Sequence, residues 1–361
     1  MQVSCMSVRE IKKHSAVSHQ LSASAVYYEM KKKIQPIKDS FNRRIDYLRV
    51  SITDKCNLKC VYCMPSKGLK FFKESEVMTD EEIVRFVRIA RKHGLRKVRI
   101  TGGEPLVRKN IIQLVSSLKE TGIRDLSLTT NGILLSGLAG DLKQAGLDRV
   151  NISLDTMDAA IYREITKQGD IEQVWESVRE AEKVKLTPVK INVVPIRGLN
   201  DSEISSFASL TFNNNYHIRF IEFMPANCSG VWAKDKCVTS DEILQQISGL
   251  GNLERLTFKG RGPSRNFRFK GAAGVIGIIS PLSDHFCGYC NRLRLTADGK
   301  IRPCLFSKKE IDIKTPMRNG ASDDEMEKLF IKAVKIKPQQ HLLNEDPASG
   351  GHLKTMSKIG G

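Results

Sequence analysis

Two cysteine triplets carry most of the chemistry available to this chain. The first, in DKCNLKCVYCMP, places Cys56, Cys60 and Cys63 at C-x3-C-x2-C. The second, in FCGYCNRLRLTADGKIRPCLF, places Cys287, Cys290 and Cys304 at C-x2-C-x13-C. A mononuclear zinc takes four ligands, or three plus water, and usually draws them from two elements. An iron–sulfur cube takes one thiolate per iron, so three cysteines leave one iron open to another ligand. A zinc loop, a three-thiol zinc ribbon and free thiols are the other readings of this spacing. Arg292 and Arg294 follow the second triplet's middle member and, two apart on an expected strand, share a face.

Other small motifs sit where a ligand would approach. TGGEP (Thr101 to Pro105) offers Gly102 and Gly103 for close backbone approach and Glu104 as a carboxylate. TTNG (Thr129 to Gly132) contains an Asn-Gly turn dipeptide. Cys228 and Cys237 are read as free thiols, and Cys5 has no assigned role.

The elements that must position these residues follow from the hydrophobic period. Strands are expected at Tyr47 to Thr53, Lys97 to Thr101, Asp125 to Thr130, Arg149 to Leu154, Val189 to Val194 and Ile218 to Phe223. Amphipathic helices lie between them. One opens on a capping box, Thr79 with Glu82, and stops at Gly94. Strand–helix alternation of this kind makes a parallel sheet with right-handed crossovers. Six units rather than eight predict an α/β fold, a partial (β/α)6 TIM-type barrel, with ligands at the C-terminal strand ends. The cysteine loop, GGEP, TNG, Ser153 and Asp155 all fall on that edge. Beyond Pro225 come a capped helix (TSDEILQQI), strands in RNFRFK and GVIGIIS, and the second triplet. The expected organisation is a leader over 1–45, a barrel over 46–225, a C-terminal cysteine-bearing region over 226–336 and a flexible tail over 337–361.

The chain has 361 residues, 40% of them hydrophobic, and no apolar run long enough to span a bilayer. Its nine cysteines are odd in number and clustered, which argues against a secreted disulfide framework. The formal charge of +18 suits a polyanionic partner without choosing one. The runs KKK (Lys31 to Lys33) and RKHGLRKVR (Arg91 to Arg99) read as solvated faces, because they lack the interleaved aromatics of a nucleic-acid platform. The serine-rich, acid-poor start fits a mitochondrial transit peptide, and hence the mitochondrial matrix, or else an untranslocated leader and a cytoplasmic protein.

The C-x3-C-x2-C loop after the first strand, with Tyr62 beside Cys63, resembles the radical S-adenosylmethionine superfamily. The resemblance implies a [4Fe–4S] cluster on Cys56, Cys60 and Cys63 whose open iron chelates S-adenosylmethionine. Reduction then releases a 5′-deoxyadenosyl radical. It places Tyr62, Gly102, Gly103, Glu104, Thr129 or Thr130, Asn131, Ser153 and Arg219 near that cofactor.

From Asp46 to Gly361 the chain further resembles the GTP 3′,8-cyclases of molybdenum cofactor biosynthesis. The stretches that carry this include LRVSITDKCNLKCVYCMP, RITGGEPLVR, NISLDT, IRFIEFMP, the second-triplet stretch and the terminal Gly-Gly. The resemblance implies a second [4Fe–4S] cluster on Cys287, Cys290 and Cys304, approached by the guanine of GTP. It implies Arg49, Arg108 and Lys190 at the phosphates and ribose, Arg292 and Arg294 at the guanine or triphosphate, and a catalytic tail in Gly360 and Gly361. The radical would take the 3′ hydrogen of GTP, and the product would be (8S)-3′,8-cyclo-7,8-dihydro-GTP. An external electron donor, a downstream cyclic pyranopterin monophosphate synthase and a homodimer are implied as partners, with neither nucleic acid nor membrane. The competing readings are a peptide-modifying radical enzyme with an auxiliary cluster, and a zinc-ribbon nucleic-acid-binding module.

Overall fold

The structure, a computed structural model, describes residues 37–64, 70–225, 232–257, 262–341 and 355–360. The leader up to residue 36, including Cys5 and the KKK run, lies outside the described residues, as do Cys228 and Gly361. Six strands alternate with helices as the pattern requires. They are β1 (Tyr47–Ser51), β2 (Lys97–Thr101), β3 (Asp125–Thr130), β4 (Arg149–Ser153), β5 (Lys190–Val193) and β6 (His217–Ile221). Between them run α1 (Asp80–Lys92), α2 (Ile111–Glu120), α3 (Ala139–Gln144), α4 (Ala159–Thr166), α5 (Ile171–Lys183) and α6 (Ile204–Asn213). The α1 capping box forms, with Thr79 accepting from the Glu82 amide and Glu82 from the Thr79 amide, so two otherwise orphaned donors are satisfied. Gly94 takes the left-handed conformation that stops the chain after α1.

The C-terminal region contributes more to the barrel than the sequence suggested. It holds α7 (Ser240–Ser248), β7 (Leu253–Leu256), β8 (Arg265–Phe269), β9 (Val275–Ile279), β10 (Arg292–Leu295), β11 (Lys300–Arg302), β12 (Ile311–Asp312), α8 (Lys314–Arg318), α9 (Asp323–Lys335) and α10 (Met356–Ile359). The sheet order is β12-β11-β10-β1-β2-β3-β4-β5-β6-β9-β8-β7. β10 pairs parallel with β1, and β9 pairs parallel with β6. Six barrel strands are thus flanked on both sides by parallel strands from late in the chain. The second triplet, just ahead of β10, is thereby placed beside the first strand of the barrel.

Each barrel strand turns one set of side chains outward and the other inward. Leu48, Val50, Val98, Ile100, Val150, Ile152, Ile191, Ile218 and Phe220 are fully buried and form the core under the helices. Parallel strands covered on both faces normally read as apolar throughout. Here the inward positions are charged or polar, which requires a cavity on that face.

The tail expected to be flexible is packed at both described ends. Lys337 Nζ donates to the carbonyls of Arg292 (2.9 Å) and Pro303 (2.6 Å). Ser357, Ile359 and Gly360 are buried.

Candidate active site

The inward faces enclose a cavity of about 840 Å³. It is lined by both cysteine triplets and by most of the residues singled out above: Arg49, Tyr62, Gly102, Gly103, Glu104, Thr129, Asn131, Ser153, Lys190, Arg219, Arg292 and Arg294.

At one end, the cysteine loop is fixed by the GGEP turn. Gly103 N donates to Thr53 O (2.7 Å) and Glu104 N to Lys55 O (2.8 Å). A Cβ on Gly102 would sit 2.7 Å from Thr53 O, and one on Gly103 would sit 2.3 Å from Lys55 O. The glycines are thus demanded by the cysteine loop's own backbone, where the sequence had suggested approach of a ligand. Glu104 is 1% exposed and accepts from Thr130 Oγ1 (2.8 Å), the Asn131 amide (2.7 Å) and the Leu106 amide (3.0 Å). Burial nonetheless lifts its carboxyl to about 7. Asn131 Nδ2 donates to Asn57 Oδ1 (2.8 Å) and points toward Cys56 Sγ, at 3.9 Å. The Tyr62 hydroxyl donates to Asp155, whose other oxygen accepts from the Val194 amide (2.8 Å). Burial lifts Asp155 to about 6. Burial also lifts the three thiols, Cys56 to about 11 with help from Glu104, Cys60 and Cys63 with help from neighbouring thiols and Asp155.

The second triplet lies in different surroundings. Arg292 Cζ sits 4.6 Å from the Phe286 ring centroid. Burial would raise the Cys290 thiol, but Arg292 and Lys337 outweigh it and hold it at about 6. Arg294 donates to the Gly360 carbonyl, and a Cβ on Gly360 would fall 2.4 Å from Thr101 Oγ1. Gly360 therefore contacts the cavity through an arginine of its lining rather than lining it.

Between the triplets runs a belt of cations set by register. Arg49 pairs across with Arg294 on one side and Arg99 on the other. Arg99 pairs with Ser127, and Ser127 with Arg149. Lys190 pairs with His217 in the same way. Like charges opposed across a sheet repel. Burial and the neighbouring Arg219, Arg149 and Arg99 hold Lys190 down at about 6; burial and Arg99 hold Arg219 at about 9; burial and Lys190 hold His217 at about 3.

Arg108 is a correction. It was expected at the phosphates, but it is absent from the cavity lining. Its guanidinium pairs with Asp80 (2.5 Å) and donates to the carbonyls of Ile52 (2.5 Å) and Met78 (3.0 Å). Lys97, Arg99, Arg149, His217, Asp155 and Asn192 line the cavity and were not singled out as site residues, except Asp155 by its edge position. Lys97 and Arg99 belong to a run read as a solvated face.

The residues fit the implied groups. Each triplet presents its three cysteines at the cavity wall, and an iron–sulfur cube would take such thiolates one per iron. Thr129 Oγ1, Asn192 Oδ1 and Tyr47 Oη are buried without a hydrogen-bond partner among the described residues, all at the cavity wall. Such atoms are costly unless a ligand satisfies them.

A radical SAM superfamily model matches residues 50–211, and a molybdenum cofactor synthesis C model matches residues 216–343. A GTP 3′,8-cyclase of Desulforamulus reducens is 47% identical over 327 residues, 90% of this chain and 99% of its own. That of Heliobacterium modesticaldum is 49% identical over 326 residues, again 90% of this chain and 99% of its own. Streptococcus suis SuiB bound to the precursor peptide SuiA overlaps 89% of this chain and 70% of its own, with TM-score 0.55 and 14% identity. anSMEcpe with bound AdoMet overlaps 81% of both chains, with TM-score 0.52 and 15% identity. These structural likenesses are of fold alone.

Proposed function

The chain belongs to the GTP 3′,8-cyclases of molybdenum cofactor biosynthesis, radical S-adenosylmethionine enzymes, and from that premise we propose how its cavity divides between the two reactants. The cofactor end is the first triplet, and the GTP end is the cation belt with the second triplet. When bound, the iron–sulfur cluster with S-adenosylmethionine supplies hydrogen-abstracting, one-electron chemistry at the ribose, which lets C3′ of GTP bond to C8 of its guanine.

The chain's own residues orient the reactants. Glu104 faces the cofactor's ammonium, which would draw its raised carboxyl back to the ionised form. Thr129 Oγ1 and Asn192 Oδ1 find their missing partners on the cofactor. Asn131 and Ser153 line this end of the cavity and would border it, and Tyr62, held by Asp155, would pack on it. Arg219, half-buried and bonded to Asn151 Oδ1 (3.3 Å), lines the cavity and would stand between cofactor and substrate. Arg49, Arg99, Arg149 and Lys190 take the triphosphate, which carries close to four negative charges near pH 7. Arg292, stacked on Phe286, borders the guanine, while Arg294 holds the tail through Gly360. Cys287, Cys290 and Cys304 would hold the second [4Fe–4S] cluster. Gly361, next in the chain after Gly360, is inferred from the family as the other residue of the catalytic tail.

The in-register arginine belt carries this reading. Half-buried cations gathered in register on one inward face, with Arg149 held by Asp125 (2.8 Å), raise a positive potential that favours a polyanion in the cavity. An external electron donor, the pathway's downstream synthase and a homodimer remain the partners inferred from the family. The relatives named above are bacterial, so a mitochondrial address rests on the composition of residues 1–45 alone. Among the described residues no helix is long and apolar enough to cross a membrane.

Anaerobic incubation with GTP, S-adenosylmethionine and a reductant tests the assignment. The expected product is an isomer of GTP, because one hydrogen leaves and one electron and one proton return, formed together with 5′-deoxyadenosine. 5′-Deoxyadenosine with GTP left intact would contradict it, and zinc without iron in the purified protein would remove the enzyme reading.

A further inference from the structure

Outside the cavity, a knot of buried polar groups lies in residues 37–45, just ahead of β1. The loop closes on itself: Ile45 N donates to Ile37 O (3.1 Å), and Asn42 turns the chain in the left-handed region. Asp39 and Arg43 are each 4% exposed and joined at 2.6 Å. The second Asp39 oxygen accepts from the amides of Phe41 and Arg43, both at 2.9 Å, so the carboxylate is fully engaged in aiming the guanidinium.

The far side of that guanidinium reaches the second triplet. Arg43 Nη1 donates to the Cys287 carbonyl (2.7 Å) and the Gln339 carbonyl (2.8 Å), and Nη2 donates to the Pro338 carbonyl (2.6 Å). Residues 338–339 belong to the stretch that wraps the triplet. In it Lys337 holds the carbonyl of Pro303, next to Cys304, and the His341 amide donates to the Cys287 thiol. The His341 ring is fixed at Pro281 O (2.8 Å). One buried fork thus joins the Cys287 loop to the strand of chain that supplies a donor to its sulfur.

We propose that Arg43 is a positioning residue for the second thiolate triplet. It holds the Cys287 backbone against residues 337–341, so the segment ahead of the barrel is part of the second site. The functional half of this inference rests on the reading that the triplet holds a cluster. Three carbonyls and a carboxylate around one planar group require the arginine fork, and the single point donor of lysine cannot span them. Groups that orient a metal ligand are typically worth about ten- to a hundredfold in affinity or activity.

The test uses the full chain, wild type against Arg43→Lys and against the double variant Asp39→Asn/Arg43→Met. The double variant leaves no lone buried charge, so it guards against simple unfolding. In the metal-free protein, iodoacetamide labelling is followed at each cysteine by mass spectrometry. Cys287 is expected to react about tenfold faster in both variants while Cys56 keeps its wild-type rate. After anaerobic reconstitution, the first-cluster signal and cleavage of S-adenosylmethionine persist, the second-cluster electron paramagnetic resonance signal shifts, and the KM for GTP rises about tenfold. Unchanged labelling of Cys287, or equal acceleration at Cys56, overturns the proposal. If the wild type itself reconstitutes only one cluster, the second-cluster reading fails, and the contrast between Cys287 and Cys56 still decides the role of Arg43.

Discussion

The two triplets share a cysteine count and differ in everything around them. Cys56, Cys60 and Cys63 sit among Glu104, Asp155 and Tyr62, and burial with those carboxylates pushes their thiols upward. Cys290 sits against Arg292 and Lys337, which hold its thiol at about 6 despite burial. An acidic, neutral-walled pocket suits a ligand that carries a sulfonium and an ammonium. A cationic one, continuous with the arginine belt, suits a nucleoside triphosphate. The difference teaches that, on the proposed reading, the surroundings rather than the cysteine spacing would divide the labour between two similar ligand sets.

The comparison breaks first at the cysteines. Substituting Cys56 with alanine should abolish 5′-deoxyadenosine formation. Substituting Cys290 should leave that cleavage but lower GTP consumption on the order of a hundredfold or more. Chromatography of both products reads the split, and equal loss of both in the Cys290 variant would erase the contrast.

The belt comes next. Arg99→Met or Arg149→Met removes a charge-assisted hydrogen bond of about 1.5–3 kcal/mol, or roughly ten- to a hundredfold in the KM for GTP, with S-adenosylmethionine binding unchanged. Arg108→Met supplies the control. It should leave the KM for GTP alone and lower the Tm, because its partners are Asp80 and two carbonyls.

Lys190 gives a smaller and sharper signal. Its folded value, about 6, lies below the 10.5 of an ordinary lysine. Between those values the unfolded chain binds more protons, so the stability of the ligand-free protein rises with pH across that window. A triphosphate reverses the shift, so GTP binding near pH 8 should take up close to one proton, and calorimetry in two buffers of different ionisation enthalpy measures it. Lys190→Met should abolish the uptake. At the other end, Asp155→Asn loosens Tyr62 and should raise the KM for S-adenosylmethionine a few-fold, about 1 kcal/mol, with that for GTP unmoved.

Much of the fold was legible because it is local. The expected bounds of β2 and β3 coincide with the observed ones, and the α1 capping box forms as the pattern requires. The pairing of β10 with β1 and β9 with β6 was not legible, since contacts between distant stretches leave no local pattern. The triplets, GGEP and TNG were visible as motifs. Lys97, Arg99, Arg149 and His217 carried a weaker signal that was present all the same. KVRIT, RVNIS, KINV, HIRFI and RLRL alternate polar with apolar residues in strands whose outer face is buried, which marks an inward polar wall. Read as part of a charge run, Lys97 and Arg99 looked solvated; read by strand period, they face inward. Arg108 misled for the opposite reason, because its partner Asp80 lies on another element. The buried tail was hidden as well, since its contact is a backbone carbonyl on Arg294.

The division of labour is tested most directly in a protein that lacks the first ligand set. With Cys56, Cys60 and Cys63 all replaced by alanine, the reconstituted and reduced chain should retain about four irons and one electron paramagnetic resonance signal. Adding GTP should shift that signal, and adding S-adenosylmethionine should not. A signal that answers to S-adenosylmethionine, or that ignores GTP, would contradict the assignment of the two triplets to the two reactants.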